Sequence, residues 1–386
     1  MSAAPIYLDY NATTPVDPAV LDAMLPYLRG EFGNPSSAHG LGSRAHDAVE
    51  AARAEVAALI GAAPDEIVFT SGGTEASNIA IRGAVRIEDA RHDIVTSTIE
   101  HPATEACCIF LESEKHKVTR VPAETNGLID PARVAAAIDG KTALVTIIHA
   151  QNEIGTIQRI AEIVAAARRH GALVHVDAAQ SVGKIAVNVE ELGADLLSIA
   201  GHKLYAPKGV GVLYVRRGIT LPPLLLGAGQ ERGRRPGTEN VPYIVALGEA
   251  CRIAGKMLEQ ESKRLSGLSG DLFAALKREI PAITTVGDPK RRLPNTLNVL
   301  FPNASGRRVL EKCPRVMAST GSACHADSEE PSAILTALGI AHDKALGAVR
   351  LSLGRGTRQE DIPAAARALV EAWQRVVQEP AIAAAV

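Results

Sequence analysis

Residues 142–148 read TALVTII and residues 172–177 read ALVHVD. Neither run shows the strict polar–apolar alternation of a strand with one wet face, so both predict strands covered on both sides. Working outward, comparable short runs occur at 66–70, 93–98, 118–121, 196–200 and 210–215. Between several of them lie Ala-rich stretches of helical period, at 74–90, 103–114, 131–138 and 160–169. This alternation predicts an α/β fold built on a mostly parallel seven-stranded sheet layered with helices. The linker GHKLYAPKG (201–209) is too short for a helical crossover, which predicts one antiparallel pairing between 196–200 and 210–215. A helical pattern then runs over 243–280. Beyond it, strand candidates at 295–300 and 350–353 and helices at 332–338 and 360–377 predict a second, smaller α/β unit.

Length and composition agree with a two-domain globular chain. The 386 residues are 46 % apolar and 22 % charged, with a formal charge of -2. Near-neutrality gives no reason to expect direct nucleic-acid binding, and the basic runs at Arg232, Arg234 and Arg235 and at Lys290, Arg291 and Arg292 are too short to change that. Five cysteines, an odd number, argue against a disulfide framework, and none is spaced for a zinc site, so no metal is expected. The start MSAAPIYLDYN lacks a secretory pattern, and no apolar run is long enough to span a membrane. The expectation is a cytoplasmic protein, in a reducing compartment where a free thiol remains a reagent.

In a parallel sheet, ligands gather beyond the carboxyl ends of the strands, and the unusual polar residues of this chain fall there repeatedly. TSGGTE (70–75) follows a strand and opens a helix. Gly73 brings a backbone N–H close, Thr74 adds a hydroxyl, and the helix terminus favours an anion such as phosphate. The plainer reading is a tight turn with Thr74 as helix cap; the nucleotide-loop patterns are absent. Asp177 ends a buried strand, a costly place for a carboxylate unless a cation such as a pyridinium nitrogen meets it; otherwise it caps the next turn. Lys203 sits in GHK after an apolar strand, where its amine suits a Schiff base and desolvation lowers its pKa. His101 is placed to stack on a flat ring and move protons, and Asn152 to bond a ligand. Cys324 lies among small residues, ASTGSACH (318–325), in a setting that favours exposure and thiolate chemistry. Cys107, Cys108, Cys251 and Cys313 read as small hydrophobes. Arg350 suits bidentate binding of a carboxylate, with a structural salt bridge as the alternative.

Ten ordered motifs make the chain resemble the cysteine desulfurase (NifS/IscS-like) family, among the class V, fold-type-I pyridoxal-phosphate enzymes. They are YLDYNATTP, FGNPSSAH, TSGGTEASN, EHPAT, NEIGTIQ, HVDAAQSVGK, GHKLYAPKGVG, RPGTEN, STGSACH and RLSLGR. The resemblance implies a large cofactor-binding domain over 15–260. It also implies a small domain made of 1–14 and 261–386 that carries the catalytic cysteine. It implies pyridoxal 5'-phosphate held by Lys203, with Asp177 at the ring nitrogen, Gln180 at the phenolic oxygen and His101 on the ring. Gly73, Thr74 and His202 would hold the phosphate, joined by Thr238 from the other subunit of a homodimer. Asn152 and Arg350 would bind the carboxylate of L-cysteine, and Cys324 would take its sulfur as a persulfide. The sulfur would then pass to an acceptor such as an iron–sulfur scaffold, and alanine would leave. Because the thiol must reach both the ring and that acceptor, a mobile loop is expected over 319–328.

Two departures stand out. Where the family often has a serine two residues before the site histidine, this chain has Ala200, which removes one phosphate donor worth about 1 kcal/mol. His325 beside the thiol, with KCPRVMAS upstream, also resembles selenocysteine lyases, making selenium release from L-selenocysteine the alternative activity.

Overall fold

A computed structural model of the chain describes residues 4–88, 90–321 and 330–379. After a short β1 (Ile6–Tyr7), seven strands form the main sheet: β2 (Ile67–Thr70), β3 (Asp93–Ser97), β4 (Val118–Val121), β5 (Thr142–Ile148), β6 (Leu173–Asp177), β7 (Leu196–Ala200) and β8 (Gly211–Val215). Their spatial order is β2-β8-β7-β6-β5-β3-β4. Only β8 runs against its neighbours, pairing antiparallel with both β2 and β7. The sheet is therefore mixed through one strand, the one that follows the short linker. Every residue of β2, β3, β5, β7 and β8 is buried, as strands sandwiched between helix layers require.

Because β2 runs parallel to β7, the carboxyl ends of β2, β3, β5, β6 and β7 all open onto the same edge of the sheet. The helix Gly73–Ala84 follows β2 and the helix Pro102–Ser113 follows β3. The expected helix over 74–90 stops at Ala84, because Val85 is the last residue to reach the core and Arg86, Ile87 and Glu88 are exposed. The expected strand over 66–70 loses its first residue to a 3-10 turn, Pro64–Glu66, where the Glu66 carboxylate accepts from the Ala63 and Arg217 amides.

The helical pattern at 243–280 is a single helix, Val241–Glu279, of 39 residues. Its first half buries Val241, Ile244, Leu247 and Ala250 in the same core as the main sheet. It crosses the helix Gly40–Ile60 closely: a Cβ on Gly248 would stand 2.6 Å from Ala52. Its second half, through Leu265, Leu268, Leu272 and Leu276, joins a separate apolar cluster with Ile6, Leu8, Val349 and Leu369. Around that cluster stand β9 (Thr284–Val286), β10 (Thr296–Leu300), β11 (Val316–Met317) and β12 (Ala348–Ser352). They form an antiparallel sheet in the order β12-β10-β9 and a parallel β1–β11 pair. No helix among the described residues is long and apolar enough to cross a membrane.

Candidate active site

The strand ends enclose a cavity of about 380 Å³, lined by Gly73, Thr74, His101, Asn152, Asp177, Gln180, His202, Lys203 and Arg350. Nine residues singled out in the sequence thus meet around one space, contributed by five strand ends and by β12.

Lys203 closes the 3-10 turn Gly201–Lys203 directly after β7. Its Nζ donates to the carbonyls of Asn11 (2.5 Å) and Ala12 (2.6 Å). Burial and the Arg350 guanidinium pull its pKa down to about 8, against the opposing pull of Asp9 and Asp177. Asp177, at the end of β6, is 6 % exposed, and its Oδ1 accepts from the Ala179 amide at 3.0 Å. The turn-capping reading is therefore satisfied by one oxygen. Burial pushes its carboxyl up, opposed by His101 and Lys203. No Lys, Arg or His among the described residues stands within ion-pair distance of it, so a buried carboxylate faces the cavity without a fixed counter-charge.

The helix Gly73–Ala84 starts after Gly72 with no side-chain cap. Thr74 is its second residue and not its cap, which sets aside the plainer reading of the Gly-Gly-Thr turn and leaves that end suited to an anion. Ala200 lines the same part of the cavity, its Cβ 3.2 Å from where a Cβ on Gly73 would stand. His202 bonds Thr13 Oγ1 through Nδ1 at 3.1 Å, and burial with the neighbouring Lys203 charge lowers its pKa to about 4. His101 caps the helix Pro102–Ser113, its Nδ1 accepting from the Ala103 amide at 3.1 Å. That bond assigns the proton of the neutral ring to Nε2, and desolvation lowers the ring's pKa.

Arg350 is 5 % exposed; it donates to Asp9 Oδ1 at 2.7 Å and to the Asn152 carbonyl at 3.2 Å, while its Nε is buried without a partner. The salt bridge offered as its alternative role is present, and two of its five N–H groups are engaged in these bonds. Gln180 donates from Nε2 to the Asn11 carbonyl (2.9 Å) and accepts at Oε1 from Lys184 Nζ (2.6 Å), keeping one N–H of its amide.

Sequence reasoning missed the residue at the centre of this network, Asn11. Its carbonyl accepts from Lys203 and Gln180, and its side chain bonds Lys184, Asn295, Thr296 and the Asn152 carbonyl. Lys184, whose amine loss of solvent contact holds well below the usual lysine range, and Asp9 were missed with it. All three lie inside quoted motifs, where a polar residue in an otherwise apolar stretch was the available signal.

Thr238 does not line this cavity. It borders a separate one of about 200 Å³, with Ser71, Glu231 and Arg235. Cys324, and most of the loop expected over 319–328, lie outside the described residues; Ser319 before them exchanges backbone bonds with Arg350. The other four cysteines are buried, and burial pushes the thiols of Cys107 and Cys251 up to about 11 and about 12, which suits inert packing. Among the described residues no group of three His, Cys, Asp or Glu side chains could hold a metal ion.

Each part of pyridoxal phosphate has a counterpart here. The uncapped helix start suits a phosphate, Asp177 at the strand end a protonated ring nitrogen, and the Lys203 amine, its pKa lowered to about 8, an aldehyde. Fold and cavity together define a fold-type-I pyridoxal-phosphate enzyme. The family model described as "Aminotransferase class-V" matches residues 6–364. A "Cysteine desulfurase" of Nostoc sp. is 44 % identical over 373 residues, covering 96 % of this chain and 93 % of that one. Among solved structures, a "NIFS-LIKE PROTEIN" superposes with a TM-score of 0.90 at 35 % identity, over 96 % of this chain and all of the other. "SspA in complex with cysteine" does so with a TM-score of 0.81 at 38 % identity, over 90 % and 98 %. The chain belongs to the cysteine desulfurase (NifS/IscS-like) family of class V aminotransferases.

Proposed function

We propose that the chain converts L-cysteine to L-alanine and passes the sulfur through Cys324, as a persulfide, to an acceptor. The observation that carries this reading is the convergence on one cavity of the Lys203 amine, the Asp177 carboxyl, which has no ion-pair partner among the described residues, and the Arg350 guanidinium. Bound pyridoxal phosphate supplies an electron sink that labilises bonds at the substrate's α- and β-carbons.

Around it each side chain has a task. Lys203 would hold the cofactor through its aldehyde, and its free Nζ would take the substrate's α-proton. Asp177 would pair with the ring nitrogen. Gly73, Thr74 and His202 would hold the phosphate, and Gln180 has one N–H left for the ring oxygen. Arg350 and Asn152 would orient the substrate carboxylate, while His101 would move a proton at Nε2. The Cys324 thiolate attacks the substrate sulfur: an S–S bond forms as the Cβ–Sγ bond breaks, and the electron pair stays with Cβ. That carbon gains a proton and leaves as the methyl group of alanine.

Thr238, outside its own chain's cavity, serves the phosphate of a partner subunit, which makes the working unit a homodimer. Residues 15–260 form the cofactor domain, and 1–14 with 261–386 the domain presenting Cys324. A reducing cytoplasm keeps that thiol free, and an iron–sulfur scaffold protein is the acceptor class that takes up persulfide sulfur. The test is Cys324→Ala. That variant should keep the imine chromophore and its change on adding cysteine, yet release no sulfide under reductant; normal turnover overturns the reading.

A further inference from the structure

Glu153 follows Asn152 in the turn after β5 but does not line the cavity. It is 6 % exposed. The turn is held by its own backbone, the Glu153 amide donating to Gln151 Oε1 at 2.5 Å and its carbonyl accepting from Asn298 Nδ2 at 3.2 Å. The carboxylate is therefore not needed to fold the turn. It reaches instead to two points on another part of the chain. Oε2 accepts from Ser332 Oγ at 2.6 Å, and Gly321 packs so closely that a Cβ there would stand 2.5 Å from the same oxygen. Gly321 has φ +83°, a left-handed conformation that favours glycine, so contact and backbone both restrict that position.

Gly321 and Ser332 bracket Cys324 in sequence. A single buried oxygen thus bonds the chain after the thiol, at Ser332, and packs against it before the thiol, at Gly321. No lysine or arginine among the described residues forms an ion pair with it, and burial, only partly offset by Ser332 and Arg350, pushes its carboxyl up to about 7. A buried carboxyl without an ion-pair partner is costly to keep.

We propose that Glu153 is a positioning residue: its carboxylate bonds Ser332 after Cys324 and packs on Gly321 before it, holding these two points against the turn that also presents Asn152 to the cavity. This rests on the reading that Cys324 takes the sulfur. Transfer between two sulfurs depends steeply on their placement, and a displacement of about 1 Å costs on the order of 100-fold. Binding of cysteine in the cavity does not depend on where the thiol is held.

The experiment is rapid mixing of the holoenzyme with cysteine, following the chromophore change and quantifying persulfide in one turnover. Glu153→Ala should leave the cysteine dependence of the chromophore change as in the wild type and slow persulfide formation about 10- to 100-fold. Ser332→Ala should do the same, and Glu153→Gln, which keeps an acceptor for Ser332, should restore most of the rate. Wild-type transfer in Glu153→Ala or in Ser332→Ala overturns the proposal. So does loss of the chromophore change together with transfer, which would make Glu153 part of the cavity's framework. Cys324→Ala run in parallel separates the two claims: persulfide or sulfide from that variant sinks the sulfur-transfer reading itself, whatever the Glu153 variants do.

Discussion

Replacing Arg350 with methionine should slow the apoenzyme's uptake of pyridoxal phosphate near neutral pH, and replacing Asp9 with asparagine should speed it. Only the neutral Lys203 amine attacks an aldehyde, so the uptake rate rises with pH until the amine has lost its proton. With a pKa of about 8, about one amine in ten is neutral at pH 7; at the ordinary lysine value of 10.5 it would be about one in 3,000. After burial, Arg350 contributes most to that lowering, while Asp9 opposes it. Because the two are paired at 2.7 Å, removing Arg350 deletes a repulsive charge and also leaves the Asp9 carboxylate unneutralised. Both effects raise the lysine pKa. A rise of about one unit, the usual scale for a close charge, makes about one amine in a hundred neutral at pH 7 and uptake about tenfold slower. Asp9→Asn leaves Arg350 unopposed and moves the midpoint below 8. The assay is stopped-flow formation of the imine absorbance from apoenzyme across pH 6–10, about the range set by these pKa values, comparing midpoints so that changes in phosphate affinity drop out. An unchanged midpoint in Arg350→Met, or a lower one, would refute this electrostatic account of Lys203.

Ala200→Ser should return a hydroxyl donor beside Gly73 and tighten cofactor retention by about 1 kcal/mol, about fivefold in equilibrium dialysis. Thr238→Ala should weaken cofactor retention although Thr238 is absent from its own chain's cavity, and should do so only in the dimer. Arg53 and Glu231 form a bidentate pair with side chains 3 % and 2 % exposed, and Glu231 also accepts the Phe69 amide. Glu231→Ala strands a buried guanidinium and should cost about 3–5 kcal/mol in denaturant unfolding; a loss under 1 kcal/mol would contradict that.

The main sheet was legible because strands covered on both faces cannot alternate, so β5 and β6 advertised themselves, and the short linker after β7 left β8 no route but an antiparallel one. The site was legible for a related reason. Polar residues at the ends of apolar strands have few structural explanations, and Asp177, Lys203 and His101 stood there. What the sequence concealed depends on contacts between distant residues. Propensity continues helically past Ala84, but the core ends at Val85. Asn11 bonds residues 141 to 341 positions away, and Glu153 meets Ser332 across 179. The two-residue strands β1 and β11 carry too little pattern to stand out.

The most direct measurement is the mass of the Cys324 peptide after the holoenzyme meets cysteine without reductant, taken alongside the alanine released. The account predicts one added sulfur atom on Cys324, none on Cys107, Cys108, Cys251 or Cys313, and one alanine for each persulfide formed. Alanine released while Cys324 stays unmodified, or sulfur found on a buried thiol instead, would contradict it.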